Sequence, residues 1–217
     1  MDAFAFLRAH EREQLFRKAR RMRTSRAKRA LDLAVTVPLV LALAPLFCLI
    51  AAAIKLTSPG PVFFRQQRYG AGRKVFRIWK FRTMRVMEAE GEFAQASQRD
   101  SRVTKVGAIL RKTSMDELPQ LFNVLDGSMS LVGPRPHALI MDDHFTHLIP
   151  ALPARHLVRP GLTGLAQVSG FRGPTDEYAA MAGRVDKDIE YILTWSVAKD
   201  VEILARTPLA LFRTTAF

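Results

Sequence analysis

The chain of 217 residues has 33 lysines and arginines against 20 aspartates and glutamates, a formal net charge of +13. It is long enough to form one domain with its own core, and the charge indicates an acidic partner: nucleic acid, anionic lipid or a phosphorylated substrate. The single cysteine, Cys48, excludes an intramolecular disulfide. The spacings of His137, His144, His147 and His156 match no zinc pattern, so we expect no structural metal.

The first segment, 1–29, is predicted to be basic and mostly helical. It has eight lysines or arginines and no acid between positions 17 and 29. Such a segment is suited to an anionic membrane face or to nucleic acid phosphates, although a charge run is more often a solvated face. Asp32, just beyond it, is expected to pair with Lys28 and Arg29.

An uncharged run of 22 residues, 33–54, follows the basic segment. As a straight helix it would reach about 33 Å, enough to cross a bilayer core. Pro38 and Pro45 favour a bent or broken helix, and basic residues are dense on both flanks. Such flanks give a spanning helix no preferred orientation, whereas a hairpin leaves both flanks cytoplasmic. We therefore predict a re-entrant membrane helix over 30–56, with a spanning helix as the alternative.

The remainder, 57–217, is predicted to be a cytoplasmic domain. Short strands at 62–64 and 75–79 form a hairpin, 88–102 is an exposed loop or short helix, and 103–112 is a helix. An amphipathic helix is predicted at 176–195, and 201–212 fits an interfacial helix and a core helix equally well. The predicted class is α+β, mostly helical, with a re-entrant membrane hairpin, a small α/β domain and interfacial amphipathic helices.

Chemistry is expected where two adjacent carboxylates, Asp116 and Glu117, precede a short apolar segment. Pro119 is tolerated only in the first turn of a helix, so the helix is predicted to begin near Asp116 and to end at about residue 125. Ser114 and Glu117 also fit a capping box, in which case they only close the helix start. Arg135, between two prolines, is placed as a bidentate phosphate contact requires. The two acids alone do not decide between a helix cap and a catalytic pair.

Five motifs occur in order along the chain: KRxxD at 28–32, KFRTM at 80–84, DELPQLFNVL at 116–125, SLVGPRPH at 130–137 and RPGLTGLAQV at 159–168. From about residue 26 onward the chain resembles the bacterial sugar transferases. These are the monotopic phosphoglycosyl transferases that begin exopolysaccharide, capsule or O-antigen assembly. The segments 170–176 and 185–196 resemble most the undecaprenyl-phosphate glucose or galactose phosphotransferases of that family.

The resemblance implies a role for each residue of the site. Asp116 would be the nucleophile that attacks the β-phosphate of a UDP-sugar, giving a covalent phosphosugar intermediate and releasing UMP. Glu117 would lie beside a Mg²⁺ ion, with Asp116 nearby. Lys80, Arg111 and Arg135 match phosphate-contacting positions of the family.

The resemblance also implies substrates, partners and a location. The substrates would be a UDP-hexose, with glucose or galactose favoured, and undecaprenyl phosphate. Membrane lipids are expected as partners and nucleic acid is not, and a homodimer is left open. The location would be the bacterial inner (cytoplasmic) membrane, with the catalytic domain on the cytoplasmic face and the membrane helix broken at Pro45. Two alternatives remain: the same reaction with an N-acetylated or diacetamido sugar, and a non-catalytic, basic, membrane-tethered binding protein.

Overall fold

The fold joins a long N-terminal helix pair to a small mixed domain. The computed structural model describes residues 9–85, 100–171 and 178–213. The first part of the predicted basic segment, most of the predicted loop at 88–102 and most of the motif at 170–176 lie outside these residues. The elements in chain order are α1 (Ala9–Thr24), α2 (Arg26–Thr57), β1 (Phe63–Tyr69), β2 (Val75–Phe81), α3 (Lys105–Lys112), α4 (Gln120–Asp126), β3 (Ser130–Val132), α5 (Leu139–Leu148), β4 (Gly161–Thr163), α6 (Leu165–Val168), α7 (Tyr178–Thr194) and α8 (Val197–Arg213).

The main hydrophobic core lies between α1, α4, α7 and the short strand β3. Helix α1 is strongly basic, yet Leu15, Ala19 and Met22 recur at helical spacing and are buried in this core. The other buried members come mainly from α4, β3, α7 and α8: Leu121, Val124, Leu131, Val132, Tyr191, Ile192 and Ile203. From residue 9 onward the basic segment is therefore part of the folded domain.

Helix α2 lies along the domain over its whole length. Its N-cap is Ser25, whose hydroxyl accepts from the Lys28 amide at 3.2 Å. It runs without interruption through Pro38 and Pro45, so the predicted break at Pro45 is not seen and the hairpin stays a prediction. One stripe of the helix is buried or half-buried against the domain: Asp32, Thr36, Val40, Leu43, Phe47, Ile50 and Ile54.

The opposite face of α2 is apolar and exposed, and includes Val37, Leu41, Leu49 and Leu56. Among the described residues, α2 is the one helix long and apolar enough to cross a membrane. An uncovered apolar face of this length indicates contact with lipid. The length and the apolar composition of α2 therefore indicate that the protein associates with a membrane.

The start of α2 is fixed to the domain by buried polar contacts. Lys28 Nζ donates to Asp200 at 2.8 Å and to the Val132 carbonyl at 3.0 Å. The Asp32 carboxylate accepts from the Ser130 hydroxyl at 2.9 Å and from the amide of the next residue at 3.0 Å. The expected pairing of Asp32 is confirmed for Lys28, whose charge stabilises the Asp32 carboxylate, although the direct ion-pair partner of Lys28 comes from α8. It is wrong for Arg29, which donates to backbone carbonyls of α4.

The other end of α2 contacts the same domain. Ile50 and Ile54 pack on Phe81 and Leu110, which belong to β2 and α3. The Arg82 guanidinium donates to the Ser58 carbonyl at 2.9 Å, just after the helix ends. The two ends of α2 therefore contact one body.

Two small sheets position several of the segments that carry the five sequence motifs. Strands β1 and β2 form the predicted antiparallel hairpin, and β3 pairs in parallel with β4. The chain after β3 passes so close to β4 that a Cβ on Gly161 would lie 2.1 Å from the amide nitrogen of Gly133. Glycine is required at this crossing, since any side chain would push the two backbones apart.

The sequence predicted these elements well where their patterns are local. The hairpin, the helix at 103–112 and the helix at 176–195 are confirmed as β1–β2, α3 and α7, and the class is α+β and mostly helical. Helix α8 has features of both a core helix and an interfacial helix, because Ile203 is buried while Val201 and Leu209 are exposed. Interfacial placement stays a prediction.

Candidate active site

The acidic pair lies in a turn between α3 and α4. Asp116 and Glu117 are in a 3₁₀ turn, Met115–Glu117, and α4 begins only at Gln120. The helix predicted to start near Asp116 therefore starts four residues later, with Pro119 at its N-cap position. The alternative of a capping box is excluded, because the Ser114 backbone is left-handed (φ 56°) and its side chain makes no cap hydrogen bond.

Glu117 is held by two cations instead of by a helix end. Lys80 Nζ lies 2.7 Å from Glu117 Oε1, and Arg135 donates to both carboxylate oxygens, at 2.9 Å and 2.5 Å. Burial alone would raise the pKa of Glu117, but Arg135 and Lys80 outweigh it and hold the pKa well below its usual range. Glu117 is therefore ionised at all physiological pH values.

Asp116 has the opposite environment, although it is the adjacent residue. Its carboxylate accepts no hydrogen bond from any described residue and is only partly exposed. Burial raises the pKa of Asp116 to about 6, with Glu117 adding to the rise and Lys80 opposing it. Two neighbouring carboxylates with separated pKa values, one fixed and one unengaged, are typical of a catalytic site.

The remaining predicted cation, Arg111, acts on the acidic pair through its charge. Arg111 is in the last turn of α3, and its charge acts on Asp116 to lower the pKa of that carboxyl. The structure therefore brings Asp116, Glu117, Lys80, Arg111 and Arg135 into one site.

Two further arginines belong to the site and were missed from the sequence. Arg68 on β1 interacts electrostatically with Arg135 and Glu117. Arg155, almost fully buried, donates from Nη2 to the Arg135 carbonyl at 2.6 Å and pairs with Asp188 at 2.8 Å. The register of the predicted hairpin could have placed Arg68 on the same face as Lys80, whereas no local sequence pattern indicates a role for Arg155.

His137 lies behind the proline-flanked arginine and is held in a neutral state. Arg155 Nη1 lies 2.5 Å from its Nδ1, and Arg184 Nη1 lies 3.1 Å from its Nε2. Burial, followed by the charges of Arg155 and Arg184, lowers the pKa of His137 well below its usual value. His137 therefore serves as a hydrogen-bonding support for the arginine cluster and not as a proton donor at neutral pH.

An apolar groove of about 310 Å³ opens beside Glu117. Its polar end is Glu117 and Arg135, and its walls come from α2, α6, α8 and the turn before Asp116. The apolar wall residues include Val35, Leu39, Met115, Leu118, Leu131, Leu162, Leu204, Pro208 and Ala210. A charged end and long apolar walls suit a ligand with an anionic head and a hydrocarbon chain.

The acids fit a magnesium ion shared with a substrate. Among the described residues, no group of three or more His, Cys, Asp or Glu side chains is arranged to hold a metal. Asp116 and Glu117 supply two carboxylates, and Mg²⁺ is commonly held by one or two carboxylates together with substrate phosphates. The pair therefore suits Mg²⁺ only with phosphate present.

The chain belongs to the bacterial sugar transferase family, whose profile matches residues 23–214. It is 52% identical over 180 residues to the UDP-glucose:undecaprenyl-phosphate glucose-1-phosphate transferase of Escherichia coli strain K12, covering 83% of this chain and 39% of that protein. It is 53% identical over 187 residues to the protein of the same name from Caulobacter vibrioides, covering 86% of this chain and 70% of that protein.

A third relative carries a different sugar in its name. The UDP-N-acetylgalactosamine-undecaprenyl-phosphate N-acetylgalactosaminephosphotransferase of Aeromonas hydrophila is 44% identical over 182 residues, covering 83% of this chain and 42% of that protein. The chain thus spans about two fifths of the length of several curated relatives.

Proposed function

We propose that the protein transfers hexose 1-phosphate from a UDP-hexose to undecaprenyl phosphate, forming undecaprenyl-diphosphate-hexose and UMP. The observation that carries this proposal is the pair Asp116 and Glu117. Glu117 is fixed by two cations and lines an apolar groove, and the adjacent Asp116 is half-buried with a raised pKa. By analogy with its relatives, the reaction would begin exopolysaccharide, capsule or O-antigen assembly.

The first displacement uses Asp116 as the nucleophile. A carboxylate oxygen attacks the β-phosphorus of the UDP-hexose and forms an aspartyl–phosphate bond. The bond from that phosphorus to the bridging oxygen breaks, and its electron pair leaves with UMP. A covalent intermediate divides one transfer between two bulky substrates into two displacements at a single site.

The second displacement releases the sugar phosphate to the lipid. A phosphate oxygen of undecaprenyl phosphate attacks the phosphorus, the aspartyl–phosphate bond breaks, and Asp116 is regenerated as a carboxylate. Arg135, Lys80 and Arg111 would neutralise charge on the phosphate oxygens, as phosphoryl transfer requires.

Glu117 orients two of these cations through its three hydrogen bonds and would hold Mg²⁺ together with Asp116 and the substrate phosphates. The metal, when bound, would withdraw charge from the phosphate oxygens. Glu117 itself keeps the Lys80 and Arg135 side chains directed at the site before any substrate arrives.

The acceptor lipid fits the groove between α2 and α8. Its phosphate would lie at the Arg135 end and the first isoprene units along the apolar walls, which are continuous with the exposed face of α2. We propose that α2 is re-entrant and that the domain lies on the cytoplasmic face of the inner membrane. Contacts of both ends of α2 with one domain support this topology, because the polar ends of a spanning helix lie on opposite faces of the bilayer.

Glucose is favoured as the sugar, because several relatives at about half identity are named for UDP-glucose. The Aeromonas hydrophila relative supports an N-acetylated hexose as the second candidate. Incubation of the purified protein with a panel of UDP-sugars, with UMP release as the readout, decides between them.

The test of the reaction is a single incubation with UDP-glucose and Mg²⁺ in the absence of lipid. Wild-type protein should release about one UMP per site and carry a phosphohexose adduct on the peptide containing Asp116. Asp116→Asn should do neither, and Asp126→Asn, in the last position of α4, is the matched control. Full turnover by Asp116→Asn would overturn the mechanism, and no UMP release with any UDP-sugar would favour the non-catalytic binding protein.

A further inference from the structure

The β1–β2 hairpin carries a second cation on the face that bears Lys80. In the antiparallel register Phe64 pairs with Lys80, and Arg68 pairs with Phe76. Paired residues share a face of a sheet, and every second residue of a strand returns to that face. Arg68 and Lys80 therefore leave the hairpin on the same side, where Lys80 contacts Glu117.

The backbone of Arg68 also lies beside the segment that carries Arg135. An isolated antiparallel bridge joins Arg68 to Ala138, three residues after Arg135. The electrostatic partners of Arg68 are Arg135, Glu117 and Asp142, which lie in the site or directly behind it. Arg68 thus lies close enough to Arg135 and Glu117 for its charge to act on the site.

Arg68 has no acidic partner of its own. Its Nη2 donates to the neutral Gln66 Oε1 at 2.5 Å, and its Nε is buried without a hydrogen-bond partner among the described residues. Burial and the charge of Arg135 lower the pKa of Arg68 to about 10, so the guanidinium stays cationic at neutral pH. A buried cation next to a second cation is unfavourable unless an anion is present.

The positive charge of Arg68 is therefore not balanced by a carboxylate of any described residue that hydrogen-bonds to it, and a bound anion would balance it. Glu117 already neutralises part of the charge of Lys80 and Arg135. Asp116 is the proposed nucleophile and is not a hydrogen-bond partner of Arg68. A planar guanidinium with an unused N–H suits a phosphate oxygen.

We propose that Arg68 binds one phosphate subsite that both half-reactions share: the phosphate of departing UMP first, and the phosphate of the lipid acceptor second. The inference rests on the proposed function and deepens it. In the first displacement Asp116 and the UMP oxygen lie in line on opposite sides of the phosphorus. The acceptor oxygen must then attack opposite Asp116, on the side that UMP has left. A single cation on that side serves both steps.

The test compares Arg68→Gln and Arg68→Lys with Arg77→Gln. Arg77 is an exposed residue of the neighbouring strand β2, paired with Gln67, so its substitution removes the same charge from the same hairpin outside the site. Circular dichroism melting curves check that each variant is folded. Arg68→Lys keeps the charge and covers the case in which Arg68→Gln does not fold.

Two half-reactions are measured separately. The first is the burst of UMP from UDP-glucose without lipid, and the second is the loss of the isolated phosphohexose adduct after addition of undecaprenyl phosphate. Arg68→Gln should slow both by about ten- to a hundredfold, Arg68→Lys less, and Arg77→Gln neither. Slowing of the UMP burst alone or of lipid transfer alone would overturn the shared subsite, and wild-type rates in both would overturn any role of Arg68.

A binding measurement keeps this inference separate from the proposed reaction. By titration calorimetry, Arg68→Gln should raise the Kd of UMP at least about tenfold while leaving the Kd of uridine unchanged. Unchanged UMP binding would contradict the subsite even in an active enzyme. An inactive wild type that still binds UMP through Arg68 would overturn the proposed reaction and retain the phosphate site.

Discussion

Arg135 and Glu117 form a two-point ion pair across 18 positions of the chain, with Nη1 at 2.9 Å from Oε2 and Nη2 at 2.5 Å from Oε1. The pair explains why Glu117 does not cap the following helix, since both of its oxygens are directed at cations. It also fixes the plane of the guanidinium before substrate binds. Prealigned charge of this kind lowers the reorganisation that phosphoryl transfer otherwise requires.

Replacement of Arg135 by lysine should remove this alignment while keeping the charge. A single ammonium cannot contact both oxygens of Glu117, so UMP formation should fall by about ten- to a hundredfold with little change in melting temperature. The matched control is Arg73→Lys, which alters the exposed pair of Arg73 with Asp143 at 2.9 Å and should be neutral. Wild-type activity of Arg135→Lys would show that the two-point geometry is unimportant.

The pH dependence of the first half-reaction should report the ionisation of Asp116. Burial raises the pKa of this carboxyl to about 6, and only the carboxylate is nucleophilic. The rate of UMP release should therefore rise about tenfold per unit below pH 6 and level off above it. Stopped-flow measurement of the burst checks this, and a rate independent of pH between about 5 and 7 would contradict it.

Removal of the Asp116 charge should stabilise the fold at neutral pH. The pKa of Asp116 is raised from 3.8 to about 6, so the folded state prefers the protonated form. This preference contributes fully below the unfolded pKa and is lost as the pH rises through about 6. Asp116→Asn should therefore melt at a higher temperature than wild type at about pH 7.5, with the difference shrinking towards about pH 4. A lower melting temperature at the higher pH would contradict the raised pKa.

The topology of α2 can be tested by labelling at its two ends. In a Cys48→Ser background, cysteines introduced at Thr24 and at Thr57, both exposed, should react from the same side of a membrane vesicle. A re-entrant helix gives this result because both of its flanks stay on the cytoplasmic face. Labelling from opposite sides would establish a true span, and Leu41, at the exposed middle of the helix, serves as the unreactive control position.

The hairpin and the helices with clear apolar periodicity could be predicted because their signals are local. The short apolar strands that flank the loop 68–74 and the spacing of apolar residues in 103–112 depend only on residues close in sequence. The same holds for the adjacent acids and for the proline-flanked Arg135. The exact start of α4 could not be predicted, because Glu117 is drawn away from the helix end by residues distant in sequence.

Long-range partners account for what the sequence did not reveal. Lys28 meets Asp200 across 172 positions, and Asp32 meets Ser130 across 98. Arg155 reaches the Arg135 carbonyl from a segment with no recognisable pattern. Arg68 was within reach of sequence reasoning, since the hairpin register alone places it on the face of Lys80, but only the fold brings that face to Arg135.

The contacts of Lys28 and Asp32 with β3 make anchoring and assembly of the site a single event. Lys28 donates to the carbonyl of Val132, one residue before the loop that presents Arg135, and Asp32 holds the strand at its start. A newly made chain whose α2 has not reached its final position lacks both supports for that loop. Under the proposed function, displacement of α2 should therefore lower the activity of the site as well as weaken the attachment of the helix.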